Sequence, residues 1–172
     1  LTMADEPFLE EIALNDPTQQ VRRKAAELLS HLPNSRLCQR MAERTRPHLQ
    51  WFWLSRQVAS TLPQEITAEM MRDGITQRTT RSGMGQQSWR LTQMLAATPL
   101  ETWDTSFNNA PLEQILHGLR KNKWRRAILR GWTQAASRQK NGRWALAILQ
   151  YSNLNTTSNR TVAKLVAVLP AA

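Results

Sequence analysis

Apolar residues recur every three or four positions along most of this chain, and proline, glycine or asparagine interrupts the pattern at short intervals. This spacing places the apolar side chains on one face of a helix, and the interruptions limit each helix to roughly 10–18 residues. No stretch alternates apolar and polar residues over enough positions to indicate a strand. The pattern therefore predicts an all-α fold built from many short helices.

The first two predicted helices are joined at Asp16 and Pro17, where the aspartate can cap the second helix and the proline fits its first turn. The first helix is expected to bury one apolar stripe, formed by Phe8, Leu9, Ile12 and Ala13. The second is expected to stop at Pro33-Asn34 and to bury Val21, Ala25, Leu28, Leu29 and Leu32. The chain therefore opens with a helical hairpin.

Later stripes predict further helices, one of them through Trp51, Leu54 and Val58. Short helices in close succession form either a bundle or a solenoid of stacked helix pairs. The opening hairpin favours the solenoid, because its second helix resembles that of a HEAT-type repeat at Asp16, Val21, Arg22, Ala25 and Leu28. The resemblance implies a ladder of Asp and Arg between neighbouring repeats. We expect a right-handed, HEAT-like α-solenoid of antiparallel helix pairs that becomes irregular after the first repeat.

A resemblance to an uncharacterised bacterial family with HEAT-like helices covers most of the chain. It is carried by three stretches, DPTQQVRRKAAELLSHLPNSRLCQRM, WRLTQMLAATPLETW and RGWTQAASRQKNGRWALAIL. Members of that family are commonly encoded beside a MoxR-type ATPase, a von Willebrand factor A-type protein and a SWIM zinc-finger protein. The resemblance implies a setting in a protein complex, with no established activity and no catalytic residues.

The composition indicates an ordinary soluble protein, because 41% of the residues are apolar and 21% are charged. With 172 residues the chain can bury one core, so we expect a single domain over residues 1–172. Its longest apolar run, Trp144 to Leu149, is too short to span a bilayer. A single cysteine, Cys38, favours a reducing, cytoplasmic setting. Because a helix starts almost directly after Leu1, we expect a piece of a longer protein.

The charge of the chain is divided unevenly. Residues 1–113 are near-neutral, with 12 Lys and Arg against all 13 Asp and Glu, whereas residues 114–172 hold 11 Lys and Arg and no acid. Such a field attracts nucleic acid, anionic lipid or an acidic protein surface. The charge therefore predicts the sign of a partner and leaves its class open.

The acid-free part contains a segment, residues 121–144, with three tryptophans and eight basic residues. On a helix from 123 to 139, one face gathers Trp124, Ala127, Ile128, Gly131, Trp132, Ala135 and Ala136. The opposite face gathers Lys123, Arg126, Arg130, Thr133 and Ser137. Single-strand binders need aromatic rings and cations in one groove. Here the two point apart, so Trp124, Trp132 and Trp144 are predicted to lie in the core.

The candidate contact surface is basic, and it comprises Arg120, Lys121, Lys123, Arg126, Arg130, Lys140 and Arg143. These side chains can contact phosphates without reading bases. They can equally meet an acidic protein surface or keep the domain soluble. The sequence leaves these alternatives open.

Residues with catalytic or metal-binding chemistry are scattered along the chain. His31, His48 and His117 lack metal-site spacing and are expected at the surface or at helix caps, and Cys38 is expected to be buried. The pairs Glu10/Glu11 and Glu65/Glu69 are typical of exposed helix faces, and Gly83 to Gly85 indicate a flexible joint. We therefore predict no catalytic residue, no cofactor and no metal.

These observations predict a non-catalytic helical-repeat scaffold that mediates protein–protein interaction in a bacterial multi-protein assembly. The expected partner is a protein, either another part of the same chain or the operon-encoded ATPase system that the resemblance implies. The alternative is a nucleic-acid-binding helical-repeat domain, with a DNA-repair glycosylase as its enzymatic form. Some such glycosylases are basic HEAT-like solenoids with tryptophan and aspartate in a groove, but Trp103 and Asp104 are adjacent on a helix and do not face each other. A membrane partner is not expected.

Overall fold

The computed structural model describes residues 1–77, 85–152 and 159–169, and this part of the chain is mostly helical. A small antiparallel sheet of two strands lies between the third and fourth α-helices. The helices are α1 (Glu6–Glu11), α2 (Gln19–Leu29), α3 (Arg36–Thr45), α4 (Ala68–Arg72), α5 (Gln86–Ala97), α6 (Glu101–Ser106), α7 (Leu112–Gly118), α8 (Arg125–Arg138), α9 (Gly142–Tyr151) and α10 (Asn159–Val166). The strands are β1 (Leu49–Phe52) and β2 (Gln57–Ser60).

The predicted helical hairpin is confirmed as α1 and α2, although its apolar stripes differ from the expectation. Leu9, Ala13, Ala25 and Leu29 are buried, whereas Val21 and two residues of the first stripe are exposed, Phe8 at 60% and Ile12 at 61%. The cause is that α1 ends at Glu11, and a 3₁₀ turn over Ala13–Asn15 follows. This tighter turn directs Leu14, rather than Ile12, into the core.

The start of α2 also differs from the expectation. Thr18 is the N-cap, and its N–H donates to Asp16 Oδ1 at 2.7 Å. Arg22 donates through Nη1 to the carbonyl oxygens of Asp16 and Pro17, at 2.6 and 2.8 Å. Arg22 therefore stabilises the turn before its own helix through backbone carbonyls, and not through a carboxylate of a neighbouring repeat.

The apolar residues form two cores. The N-terminal core lies among α1, α2, α3, α4 and the residues that follow α4, with Leu14, Leu37 and Met41 at its centre. The C-terminal core lies between the β-hairpin of β1 and β2 and the helices from α5 onward. It contains a group of aromatic rings that contact each other at tilted angles. In that group the ring centroids of Trp103 and Trp132 lie 6.1 Å apart, and those of Trp132 and Trp144 lie 5.1 Å apart.

Helix α5 belongs to both cores. Its residues Leu91 and Leu95 lie in the C-terminal core, whereas Met94 and Ala97 lie in the N-terminal core. The face of α5 that lies in the C-terminal core packs closely on α8 at Gly131, where an added Cβ would lie 2.5 Å from the Leu95 Cβ. A helix with two opposite buried faces is the central element of a small domain.

The prediction of a strictly all-α fold is wrong over residues 49–60, where β1 and β2 pair with Leu49 opposite Ser60 and Phe52 opposite Gln57. The expected helical stripe through Trp51, Leu54 and Val58 does not exist. Trp51 and Val58 instead form a cross-strand pair on the inner face of the hairpin. The Trp51 ring covers Gly118 of α7 and lies 6.4 Å from the Phe107 ring, measured between centroids.

Regular stacking of helix pairs into a solenoid remains a prediction.

Within the described ranges, no helix is long and apolar enough to cross a membrane.

Candidate interaction surface

The predicted basic residues are all exposed, but they do not form one cluster. Arg120, Lys121 and Lys123 lie on the connection between α7 and α8, whereas Lys140 lies on the turn between α8 and α9 and Arg143 lies in the first turn of α9. Helix α8 has 14 residues and is therefore roughly 21 Å long, which separates the two groups. Arg126 and Arg130 lie between them, on the outer face of α8. The surface is thus a line of cations and not a single site.

Most of these cations have no carboxylate partner. Among the described residues, Arg143 alone of the predicted set forms an ion pair, with Asp104. Lys123 Nζ lies 5.0 Å above the centre of the Trp124 ring, and the Arg130 guanidinium lies 5.7 Å from that of Trp89. Such cation–π contacts leave the charge available to a partner.

The prediction that the tryptophans lie in the core is confirmed for Trp132 and Trp144, which are fully buried. It is wrong in part for Trp124, which is half-buried. Helix α8 starts two residues later than predicted, at Arg125, so Trp124 is its N-cap and does not lie on the buried stripe. Its backbone N–H donates to Asn122 Oδ1 at 2.8 Å, and this contact fixes its position.

The sequence prediction missed the tip of the β-hairpin, which carries the most exposed group of large apolar side chains. Phe52, Trp53 and Leu54 are consecutive, and their exposed fractions are 50%, 70% and 80%. Single exposed apolar residues are ordinary, whereas a contiguous group of this size is typical of an interaction site. The turn closes at Arg56, which has a positive φ of 47°.

Arg56 lies on this turn, and two further basic residues lie beside the strand that follows it. Strand β2 lies beside the connection between α7 and α8, and a shallow groove between them is lined by Gln57, Lys121, Lys123 and Trp124. Asn122 fixes the groove, because its Nδ2 donates to the carbonyl oxygen of Val58 at 2.9 Å. We call this combination the ribbon surface, and it comprises Phe52, Trp53, Leu54, Arg56, Lys121 and Lys123.

A second feature absent from the prediction is a buried ion network. Glu10 and Asp73, with 2% and 1% of their surface exposed, both bind the guanidinium groups of Arg40 and Arg72, and Asp73 also binds that of Arg44. Arg40 donates to both Asp73 oxygens, at 2.8 and 3.1 Å, and lies 2.6 Å from Glu10 Oε1. Arg72 lies 3.3 Å from the same Glu10 oxygen and 3.2 Å from Asp73 Oδ1. The expectation of an exposed Glu10 is therefore wrong.

This network ties α1 to α3 and to the end of α4, so its geometry is that of a structural element. Buried carboxylates are tolerated when guanidinium groups compensate their charge. Of the four carboxylate oxygens, only Glu10 Oε2 is buried without a hydrogen-bond partner in the described part of the chain. No free acid and base face each other here.

Residues 1–172 match the sequence model of DUF5691, a family of unknown function. The chain belongs to this family. No curated protein and no solved structure matches it. The resemblance to an uncharacterised family is thereby confirmed.

In this member of DUF5691, the other reactive side chains lie where the pattern predicted. Cys38 is fully buried and burial raises the pKa of its thiol to about 11, while Sγ donates to the Leu29 carbonyl oxygen at 3.6 Å. His31 and His117 are exposed, and His48 lies 3.1 Å from Thr61 Oγ1. Glu11, Glu65 and Glu69 are exposed, as expected.

The remaining candidates carry no shared chemistry. Trp103 is buried, and Asp104 binds Arg143 on the surface, so the two do not share a groove, as predicted. Of the predicted glycine joint, Gly85 is the N-cap of α5, and Gly83 and Met84 lie outside the described residues. In the described ranges, no three His, Cys, Asp or Glu side chains lie close enough together to hold a metal ion.

Proposed function

We propose that this chain is a non-catalytic interaction module that binds a protein partner through the ribbon surface. The observation that carries the proposal is the exposure of Phe52, Trp53 and Leu54, from 50% to 80%, on a turn that nothing else in the described chain covers. Burial of one large apolar side chain contributes roughly 1.5–3 kcal/mol. Three of them at one tip supply an anchor of the kind that dominates protein interfaces.

The charges beside the tip define the chemistry of the partner. Arg56, Lys121 and Lys123 are exposed and, among the described residues, none of them pairs with a carboxylate. A partner with an apolar cleft and an acidic rim would bury the tip and complement these cations. Charge of this sign would also increase the association rate.

A nucleic acid is the second candidate, because the half-buried Trp124 ring lies in one groove with Lys121 and Lys123. Strand binding of that type uses several rings in a cationic groove. Here Trp132 and Trp144 are fully buried and cannot stack on bases. The apolar tip also has no role in phosphate contact, so a protein partner accounts for more of the surface.

The wider proposal is that a rigid helical-repeat scaffold presents this surface within a multi-protein assembly. The resemblance of the sequence implies gene neighbours that encode a MoxR-type ATPase, a von Willebrand factor A-type protein and a SWIM zinc-finger protein. These proteins are the first partners to test by direct binding with purified components.

The test is to measure binding of each candidate to the full-length protein, with and without nuclease, for wild type and for a Trp53→Ser, Leu54→Ser variant. Loss of the apolar anchor should weaken binding at least tenfold. The matched control is Phe8→Ser, Ile12→Ser, because these side chains, on α1 and directly after it, are also large, apolar and exposed, at 60% and 61%, and lie outside the ribbon surface. The control should bind as wild type does, and both variants should keep the wild-type circular dichroism and melting temperature.

Two outcomes would contradict the proposal. One is binding that survives the loss of the tip residues, and the other is binding that disappears with nuclease alone. In the second case, a Lys121→Glu, Lys123→Glu variant that loses salt-dependent binding to single-stranded DNA would favour the nucleic-acid alternative.

A further inference from the structure

A cleft of about 280 Å³ lies between the two cores, where α2, residues 73–76, α5 and α8 meet. Its floor is apolar and includes Ala26, Met41 and Ile75. Its walls carry polar and charged side chains, among them Arg23, Glu27, Gln134 and Arg138. A pocket of this size with an apolar floor and a few convergent polar groups is typical of a site for a small molecule.

Arg138 is the unusual residue of this cleft. Its side chain is half-buried, and burial lowers the pKa of the guanidinium. No carboxylate of the described residues lies within ion-pair distance, and the hydrogen bond that Nη1 donates to the Ala96 carbonyl oxygen is long, at 3.4 Å. The sequence outside the described ranges contains no Asp or Glu. A side chain of residues 1–172 therefore does not supply the missing anion.

The acids that line the cleft are engaged elsewhere. Asp73 binds Arg40, Arg44 and Arg72 in the buried network. Glu27 pairs with Lys24 at 3.2 Å and acts on Arg138 only from beyond ion-pair distance. The charge of Arg138 is therefore not compensated by a contact in the protein.

Two glutamine side chains also line the cleft. Gln93 is held in place, because its Oε1 accepts from the N–H of Thr76 and its Nε2 donates to the Thr76 carbonyl oxygen, both at 3.0 Å. Gln134 lies one helical turn before Arg138 on α8, and its side chain forms no hydrogen bond with another described residue. Its amide can donate to the same ligand as the guanidinium.

We propose that this cleft binds an oxyanion, a carboxylate or a phosphate carried by a small molecule, through Arg138 with Gln134 and Arg23 beside it. The planar guanidinium binds such groups through two parallel hydrogen bonds. The apolar floor accepts a short hydrocarbon part of the same ligand. The cleft shares no residue with the ribbon surface, so this inference is independent of the proposed function.

The experiment is titration calorimetry of the full-length protein with inorganic phosphate, acetate, butyrate and the uncharged butyramide. We expect binding of phosphate or of the carboxylates, and none of butyramide. Tighter binding of butyrate than of acetate would assign the site to carboxylates with an apolar part, and binding of phosphate alone would assign it to phosphate. The Arg138→Gln variant should weaken binding at least tenfold, because the charged donor fork is lost.

The matched control is Arg126→Gln, which removes the same charge from the exposed face of the same helix and should bind as wild type does. Arg138→Gln should also keep or raise the melting temperature in anion-free buffer, because it removes an unpaired, half-buried charge. A merely structural arginine would lower it. No binding of any probe at millimolar concentration, or equal loss in both variants, would overturn the proposal.

Discussion

At the scale of residues, Asp73 shows how this small protein tolerates charge in its interior. Its side chain is completely buried, yet three arginines from two helices surround it, and Arg40 donates to both of its oxygens. Desolvation of such a carboxylate costs several kcal/mol and is offset only by contacts of this quality. The arginines are less buried than the carboxylate, so their outer parts remain in water.

We predict that Asp73→Ala lowers the free energy of unfolding by about 3–5 kcal/mol, because it leaves three adjacent guanidinium groups without their shared partner. Urea denaturation measures the change. The control is Glu69→Gln, which removes an exposed carboxylate 3.4 Å from Arg44 and should cost about 0–1 kcal/mol. An equal, small effect of the two substitutions would show that the network contributes little to stability.

At the scale of elements, the sequence allowed α8 to be predicted because it is long and its stripe repeats over four turns. The predicted inner residues, from Ala127 to Ala136, are buried. The hairpin could not be predicted in the same way, because strands of four residues place only two side chains on each face. The spacing of Trp51 and Val58 in the sequence is therefore compatible both with one face of a helix and with a cross-strand pair.

Contacts between segments that are distant in the sequence could not be predicted either. Glu10 and Asp73 lie far apart in the sequence and are brought together through Arg40 of α3, so the sequence pattern alone predicts an exposed Glu10. The cleft around Arg138 depends on the packing of four separate segments. Periodicity indicates which face of a helix is buried, but it carries no information about which distant side chain lies opposite.

We predict that Gly131→Ala destabilises the contact between α5 and α8. The added Cβ would lie 2.5 Å from Leu95 Cβ and 3.0 Å from the Thr92 carbonyl oxygen. Overpacking costs about 1–3 kcal/mol, and the better helix propensity of alanine offsets up to about 1 kcal/mol of it. A net loss of about 1–2 kcal/mol should appear in urea denaturation.

Gly85→Ser provides the comparison for this element. Gly85 is the N-cap of α5, and an added Cβ there meets only Ser88 Oγ, at 3.7 Å. Serine is also favoured at this position, so the stability should stay the same or rise slightly. If the Gly131→Ala variant were as stable as wild type, the close contact described between α5 and α8 would be incorrect.

At the scale of the whole molecule, we predict that stability falls as the pH is lowered through the histidine range. Burial lowers the pKa of His48, and burial together with the charge of Arg138 lowers that of His31. The unfolded chain therefore binds protons on these rings at a higher pH than the folded one does. The contribution is complete above about pH 6.5 and is lost as the pH falls toward the folded pKa values.

Urea denaturation at about pH 7.5 and at about pH 5.5 measures this dependence. A His31→Gln, His48→Gln variant should lose most of the difference between the two conditions. Carboxylate protonation has little effect in this range, since ordinary carboxyl groups titrate near pH 4. An unchanged difference in the double variant would assign the effect to other groups.

The shared position of α5 governs how this molecule can be dissected. Since that single helix supplies side chains to both hydrophobic clusters, we expect that neither half folds on its own and that damage to one is transmitted to the other. A deletion would therefore remove a binding contact and unfold the chain at the same time, and a binding assay could not separate the two effects. Point substitutions at exposed positions are the changes that can alter binding without unfolding the chain.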